Sequence, residues 1–184
     1  MSQIKSLLSS YASYVNLPWQ KGLSSLEKVW FCLYDPGNER RLRAHLDNFR
    51  LVTQEANHNW LPLDVTHSFE TWLSQHEYRE QFFVNPKGAA PAYDIFGEEL
   101  AQNLISDLQA SDDNTIAALI GVGSLFSFIR VSSLIETIAP SIKGRLLVFF
   151  PGTYHNSVYR LLDARDGWNY LAVPIEAKGG LEWS

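Results

Sequence analysis

Three short runs, Val29–Tyr34, Thr115–Ile120 and Leu146–Phe150, are apolar at almost every position and are separated by stretches with helical spacing. A strand that is apolar on both faces has to be covered on both, the condition of the central strands of a parallel sheet packed between helices. Phe31, Leu33, Leu119, Ile120, Val148 and Phe150 are therefore the expected core. The resulting expectation is an α/β fold with a mostly parallel sheet flanked by helices.

The segments between these runs fit that plan. Residues 2–16 place Ile4, Leu7, Leu8, Tyr11 and Val15 on one helical stripe, ended by Pro18 and Gly22. Asp35-Pro36-Gly37 stops the first strand, and Asn38 is a candidate cap for a helix carrying Leu42, Leu46 and Phe49 inward and Arg40, Arg41, Arg43 and Arg50 outward. Trp60–Val65 reads as a strand that Pro62 pushes to a sheet edge. Thr66 or Ser68 then caps one helix with Phe69, Trp72, Leu73 and Phe83, broken by Asn85-Pro86-Lys87-Gly88. Asp94 opens another with Leu100, Leu104, Ile105 and Leu108. Gly121-Val122-Gly123 leads into a helix with Leu125, Phe128, Ile129, Ser132, Ile135 and Ile138, ending before Pro140. Pro151-Gly152 closes the strand that begins at Leu146. Finally Val158–Leu162 and Trp168–Val173 flank Asp163-Ala164-Arg165-Asp166-Gly167, the signature of a C-terminal antiparallel β-hairpin.

The chain has 184 residues, 46% of them hydrophobic, and shows no linker or repeat, which fits one domain over residues 1–175. Residues 176–184 are set aside as a tail, because Gly179-Gly180-Leu181-Glu182-Trp183-Ser184 reads as a linker and the start of a purification tag. The net charge of −5 gives no basic excess for nucleic acid, so strong direct nucleic-acid binding is not expected. A lone cysteine, Cys32, excludes an internal disulfide framework. No apolar stretch reaches bilayer length and no secretory signal precedes the first helix, so no membrane association and a cytoplasmic location are expected.

Catalytic constellations are incomplete. Gly121-Val122-Gly123-Ser124-Leu125-Phe126 occupies the strand-to-helix position of a phosphate-binding loop, yet it has no lysine, and Phe126 stands where a dinucleotide fingerprint needs its third glycine. A structural turn is the favoured reading. His45, His58, His67, His76 and His155 are scattered, and Asp64 with His67 lacks an evident third metal ligand. Ser124 lacks the second glycine of a nucleophile elbow, and Cys32 lies inside an apolar strand. Glu98-Glu99 and Asp112-Asp113 read as solvated charge near helix ends. No catalytic residue, cofactor or metal site is assigned, and the chain reads as a non-enzyme.

Two charged segments remain as candidate recognition surfaces, because loops on a rigid scaffold commonly bind partners. The first is the hairpin, with Arg160, Asp163, Arg165, Asp166, Trp168 and Tyr170. The second is the loop after the first strand, with Asp35, Glu39, Arg40 and Arg41.

Phe149-Phe150-Pro151-Gly152-Thr153-Tyr154, Asn156, and the run from Tyr159 through Leu161-Leu162-Asp163-Ala164-Arg165-Asp166-Gly167-Trp168-Asn169-Tyr170 to Ile175 resemble the C-terminal signature of the BrxB family. Tyr34-Asp35-Pro36 with Glu39-Arg40-Arg41-Leu42, and Gly121–Phe126 with Arg130-Val131-Ser132, resemble that family's first strand and helix and its central strand-to-helix segment. The resemblance extends from about Leu7 to Ile175. It implies a component of bacterial BREX phage-exclusion systems, which combine a methyltransferase, a large ATPase and a phosphatase-like PglZ protein. It supplies no catalytic residues and implies an adaptor for PglZ and other BREX proteins. The alternative is a nucleotide- or nucleic-acid-responsive module on a degenerate nucleotide-binding sheet, resting on Gly121–Ser124 and the Arg40, Arg41, Arg43 cluster.

Overall fold

In the computed structural model, which describes residues 2–77, 79–85, 88, 90–156, 158–162, 168–169 and 171–177, the doubly apolar runs lie side by side at the centre of one sheet. The elements in chain order are α1 (Gln3–Val15), β1 (Val29–Tyr34), α2 (Glu39–Glu55), β2 (Asn59–Asp64), α3 (Ser68–Gln75), α4 (Arg79–Val84), α5 (Ala90–Ala110), β3 (Thr115–Ile120), α6 (Val131–Ile138), β4 (Arg145–His155), β5 (Val158–Leu161), β6 (Trp168–Asn169) and β7 (Val173–Ile175). The strand order is β2-β3-β4-β1-β7, parallel throughout, with β5 antiparallel to the far end of β4 and β6 antiparallel to β5.

Alternation along the strands sorts the core into two layers. Val29, Phe31, Leu33, Leu119, Leu146, Val148 and Phe150 face α5 and α6, meeting Phe96, Leu100, Leu104, Leu134, Ile135 and Ile138. Trp30, Cys32, Tyr34, Ile116, Ala118, Ile120, Leu147 and Phe149 face α1 and α2, meeting Ile4, Leu7, Tyr11, Val15, Leu42 and Phe49. All six residues expected in the core are buried. Between α1 and α2 one polar contact is sealed in: Thr53 gives its hydroxyl proton to the Phe49 carbonyl (2.8 Å), so the Tyr11 hydroxyl, 2.6 Å away, donates to Thr53. Pro62 is tolerated because β2 is an edge strand.

Several local expectations are corrected. The segment after Gly121 does not become a continuous helix. A 3-10 turn spans Val122–Leu125, Ser127 takes a left-handed backbone (φ 74°), and α6 begins only at Val131. Leu125, Phe128 and Ile129 have helical spacing, but Phe128 instead stacks on Phe69 in α3 with ring centroids 3.9 Å apart. The helix expected from Thr66 or Ser68 to Phe83 is two, α3 and α4, because His76 is extended (ψ 132°) and packs between Trp72 and Phe82. Neither Thr66 nor Ser68 caps α3, whose N-cap position is held by His67 without a side-chain bond. α5 starts at Ala90, ahead of Asp94.

Pro151-Gly152 does not end β4. The strand pairs with β1 as far as Pro151 and then changes partner, pairing antiparallel with β5 from Gly152 to His155. Gly152 permits this, since a Cβ there would meet the Arg160 carbonyl and lie 2.8 Å from the Phe150 ring. The hairpin's second strand is likewise split: Trp168–Asn169 pairs with β5, whereas Val173–Ile175 crosses to the free edge of β1.

Burial raises the pKa of the Cys32 thiol and the Tyr11 hydroxyl, so the folded chain holds protons that the unfolded chain releases above about pH 8.5 and 10, respectively. Stability is therefore expected to be insensitive to these groups below about pH 8 and to fall as pH rises beyond that, by up to about 1.4 kcal/mol per unit per group. Thermal melts between pH 7 and 11 check this, and Cys32→Ala should move the onset to higher pH. Phe149→Ala removes a ring of the central strand that is buried against Phe49 of α2 and is expected to cost about 3–5 kcal/mol in urea unfolding.

Candidate functional site

Ligands of open α/β sheets bind beyond the carboxyl ends of the strands. Here the loops after β1, β2 and β3 meet at that edge. Tyr34, the last residue of β1, donates its hydroxyl to the Glu39 carboxylate in the first turn of α2. Glu39 also accepts from Arg43 Nε at 2.8 Å, one helical turn on. Arg43 Nη2 donates to Thr66 Oγ1 at 2.7 Å, and Nη1 lies 3.7 Å from Asp64 Oδ2 at the end of β2. Asp64 Oδ1 accepts from the Thr66 backbone N–H at 3.0 Å and from the Thr66 hydroxyl. The chain of contacts Tyr34–Glu39–Arg43–Thr66–Asp64 thus ties β1, α2 and the β2–α3 loop together. Burial, with the Glu39 carboxylate beside it, raises the Tyr34 pKa.

The glycine turn after β3 closes on the same loop. Gly121 is left-handed (φ 83°), and a Cβ there would collide with Thr66 Oγ1 and lie 2.9 Å from the Thr66 backbone nitrogen. Its glycine serves the close approach of two chain segments. Ser124 turns its hydroxyl to the carbonyls of Gly121 (2.8 Å) and Val65 (3.2 Å), so its proton goes to main-chain acceptors rather than to a base. Asp64 and His67 do not converge: Asp64 faces Thr66 and Arg43, while His67 Nδ1 lies 3.0 Å from Glu70.

The loop of the second candidate surface is braced from below. Asp35 Oδ1 accepts from Gly37 N–H at 2.7 Å, and Gln3 Oε1 of α1 accepts from the Asp35 N–H (3.1 Å) and the Asn38 side-chain amide (2.7 Å). Asn38 occupies the N-cap position of α2, but its side chain makes no cap bond. Asp35, Arg40 and Arg41 are exposed, whereas Glu39 and Arg43 are half-buried in the contact chain, so the expectation of a solvated Arg43 is corrected.

On the hairpin, Arg160 points outward opposite Thr153, between the inward Tyr159 and Leu161. Asp163, Arg165, Asp166 and Tyr170 lie outside the described residues, and the Trp168 backbone pairs with Tyr159. Leu162, immediately before that stretch, donates its N–H to the carbonyl of Pro151 at 2.8 Å. Pro151 is the register partner of Tyr34. Leu162 and the Asp35–Arg41 loop are therefore brought to one edge of the sheet. Sequence reasoning missed Tyr34, Arg43 and Thr66 as a unit; the i, i+4 spacing of Glu39 and Arg43 was its one local sign.

Gly121→Ala is expected to lower stability by about 1–3 kcal/mol, from the left-handed backbone and the collision with Thr66. Chemical denaturation checks this, and Gly123→Ala, whose added Cβ would only touch the Pro151 ring at 3.2 Å, should cost less.

Comparison with curated proteins and with solved structures yields no match. The family model for the BREX protein BrxB matches residues 65–175, from the end of β2 through β7. The match takes in the Thr66 loop, the Gly121 turn and the whole β4–β5–β6–β7 region. The resembling segment Tyr34–Leu42 precedes it. With more than half of its length matched, the chain belongs to the BrxB family, a component of BREX phage-defence systems.

Proposed function

We propose that the chain is a non-catalytic interaction subunit of a BREX complex, with the phosphatase-like PglZ component as its partner. The observation that carries this reading is the state of the polar groups at the carboxyl edge of the sheet. Tyr34, Glu39, Arg43, Asp64, Thr66 and Ser124 are engaged with one another or with main-chain carbonyls. They act as a clamp between strands and helix. The charges that remain outward, Asp35, Arg40, Arg41 and Arg160, lie on loop and hairpin surfaces fixed to rigid elements, the arrangement suited to recognition. Two contacts weigh against the nucleotide-responsive reading: Gly121 packs on Thr66, and Arg43 turns inward to Glu39, which leaves Arg40 and Arg41 as the outward part of its basic cluster.

The test is co-purification from cells expressing the whole BREX set. Arg40→Glu with Arg41→Glu, and separately Arg160→Glu with Arg165→Glu, reverse the positive charge of each candidate segment. The pair on the true interface is expected to reduce recovery of PglZ at least tenfold while the melting temperature stays within a few degrees. If the wild-type chain recovers no BREX protein, the interaction-subunit reading is wrong. If both charge-reversed pairs recover PglZ as the wild type does, neither surface is the interface.

A further inference from the structure

At the opposite, amino edge of the sheet, β4 begins with a buried cation. Arg145 is only 6% exposed, and its guanidinium carbon lies 4.7 Å from the Trp19 ring centroid and 5.9 Å from that of Trp30. Nη1 donates to the Gly144 carbonyl and Nη2 to the Gln20 carbonyl, each at 3.0 Å. Among the described residues no carboxylate lies within ion-pair distance of it. Trp19 is itself held flat against His58, ring centroids 4.0 Å apart. Stacking engages the guanidinium face, while its N–H edge is the part that accepts a carboxylate.

Arg145, Trp19, Trp30 and Tyr14 line a cavity of about 310 Å³ together with Leu17 and Leu171. Those two leucines are 55% and 66% exposed. Glu27 also lines the cavity but makes no ion pair with Arg145; hydrogen bonds from Ser24, from its side chain first and then from its N–H at 2.8 Å, lower the Glu27 pKa and hold its carboxylate on the Ser24 side. A buried guanidinium without a counter-charge is costly to maintain, and the two tryptophan faces compensate it only in part. The volume is at the small end for ligand sites and suits one or two side chains. Exposed leucines beside a recessed cation in one cavity suit a protein-binding anchor. Leu171 and Val173 belong to the C-terminal run inside the matched family segment, continuous with the hairpin.

We propose that this pocket docks an acidic segment of a BREX partner protein, its Asp or Glu carboxylate meeting Arg145 and an adjacent apolar side chain seated between Leu17 and Leu171. This rests on the interaction-subunit reading. The segment supplies the missing charge to Arg145 and covers the two exposed leucines in the same contact.

Two measurements test it. The first follows the indole N–H resonances of the 15N-labelled protein, with Trp19 assigned through Trp19→Phe, during titration with acetyl-Leu-Glu-Leu-amide and its neutral counterpart acetyl-Leu-Gln-Leu-amide. The Glu peptide is expected to move the Trp19 resonance at a concentration at least tenfold lower than the Gln peptide. Equal responses, or none to either, overturn the assignment. Sodium phenylacetate acting at a concentration a hundredfold below the Glu peptide would mark a site for free small carboxylates and overturn it as well. The second compares capture of co-expressed BREX proteins by Leu171→Asp and Leu171→Lys, both at an exposed position. Asp should reduce capture at least tenfold and Lys should retain most of it; capture by both at the wild-type level overturns docking here. If the wild-type chain captures nothing, the parent reading fails by itself, and the peptide comparison still decides whether the pocket takes a carboxylate-bearing segment.

Discussion

Everything else in this fold is arranged around the burial of β4 between β3 and β1. The first eight residues of β4 are all buried, and its neighbours β1 and β3 are buried along their whole lengths. Backbone groups so far from water have to be paired, and the parallel ladders on either side of β4 do so. The apolar side chains above and below then need helices on both faces, which is why α1 and α2 cover one side while α5 and α6 cover the other. The contacts at the carboxyl edge follow from the same packing, since they join the ends of strands that the core has already aligned.

The three central strands were legible because double-sided burial leaves an unbroken apolar run. β1 and β3 fall on their expected limits, and the edge position of β2 could be read from Pro62. The errors share one cause. Leu125, Phe128 and Ile129 satisfy helical spacing, but Phe128 packs on α3 and Ile129 on α5, so local periodicity pointed to the wrong element. Pro151-Gly152 resembles a strand end until the long-range approach of Arg160 is known. In each case tertiary contact outweighed a sound local rule.

The polar groupings were less legible than the core. Glu39 and Arg43 are four residues apart and suggest a pair, but Asp64 and Thr66 join them only after the chain has passed over two strand positions, those of β4 and β3, to reach β2. Trp19 and Arg145 are separated by most of the chain and meet because the loop after α1 folds under the start of β4. No spacing rule connects such positions. Of the hairpin charges, Arg160 lies within the described residues and is exposed.

The prolines at the two ends of the five-stranded path bear on how such a subunit can be approached. Pro62 lies within β2 and Pro174 within β7, each in the strand furthest from the centre. A proline has no N–H to offer, so neither strand presents an unbroken row of donors to an incoming chain. Copies of the protein are thereby discouraged from joining edge to edge into extended sheets. A partner likewise gains little by adding a strand of its own, so recognition falls to side chains, and sequence changes on the outer loops can alter specificity without disturbing the ladder beneath.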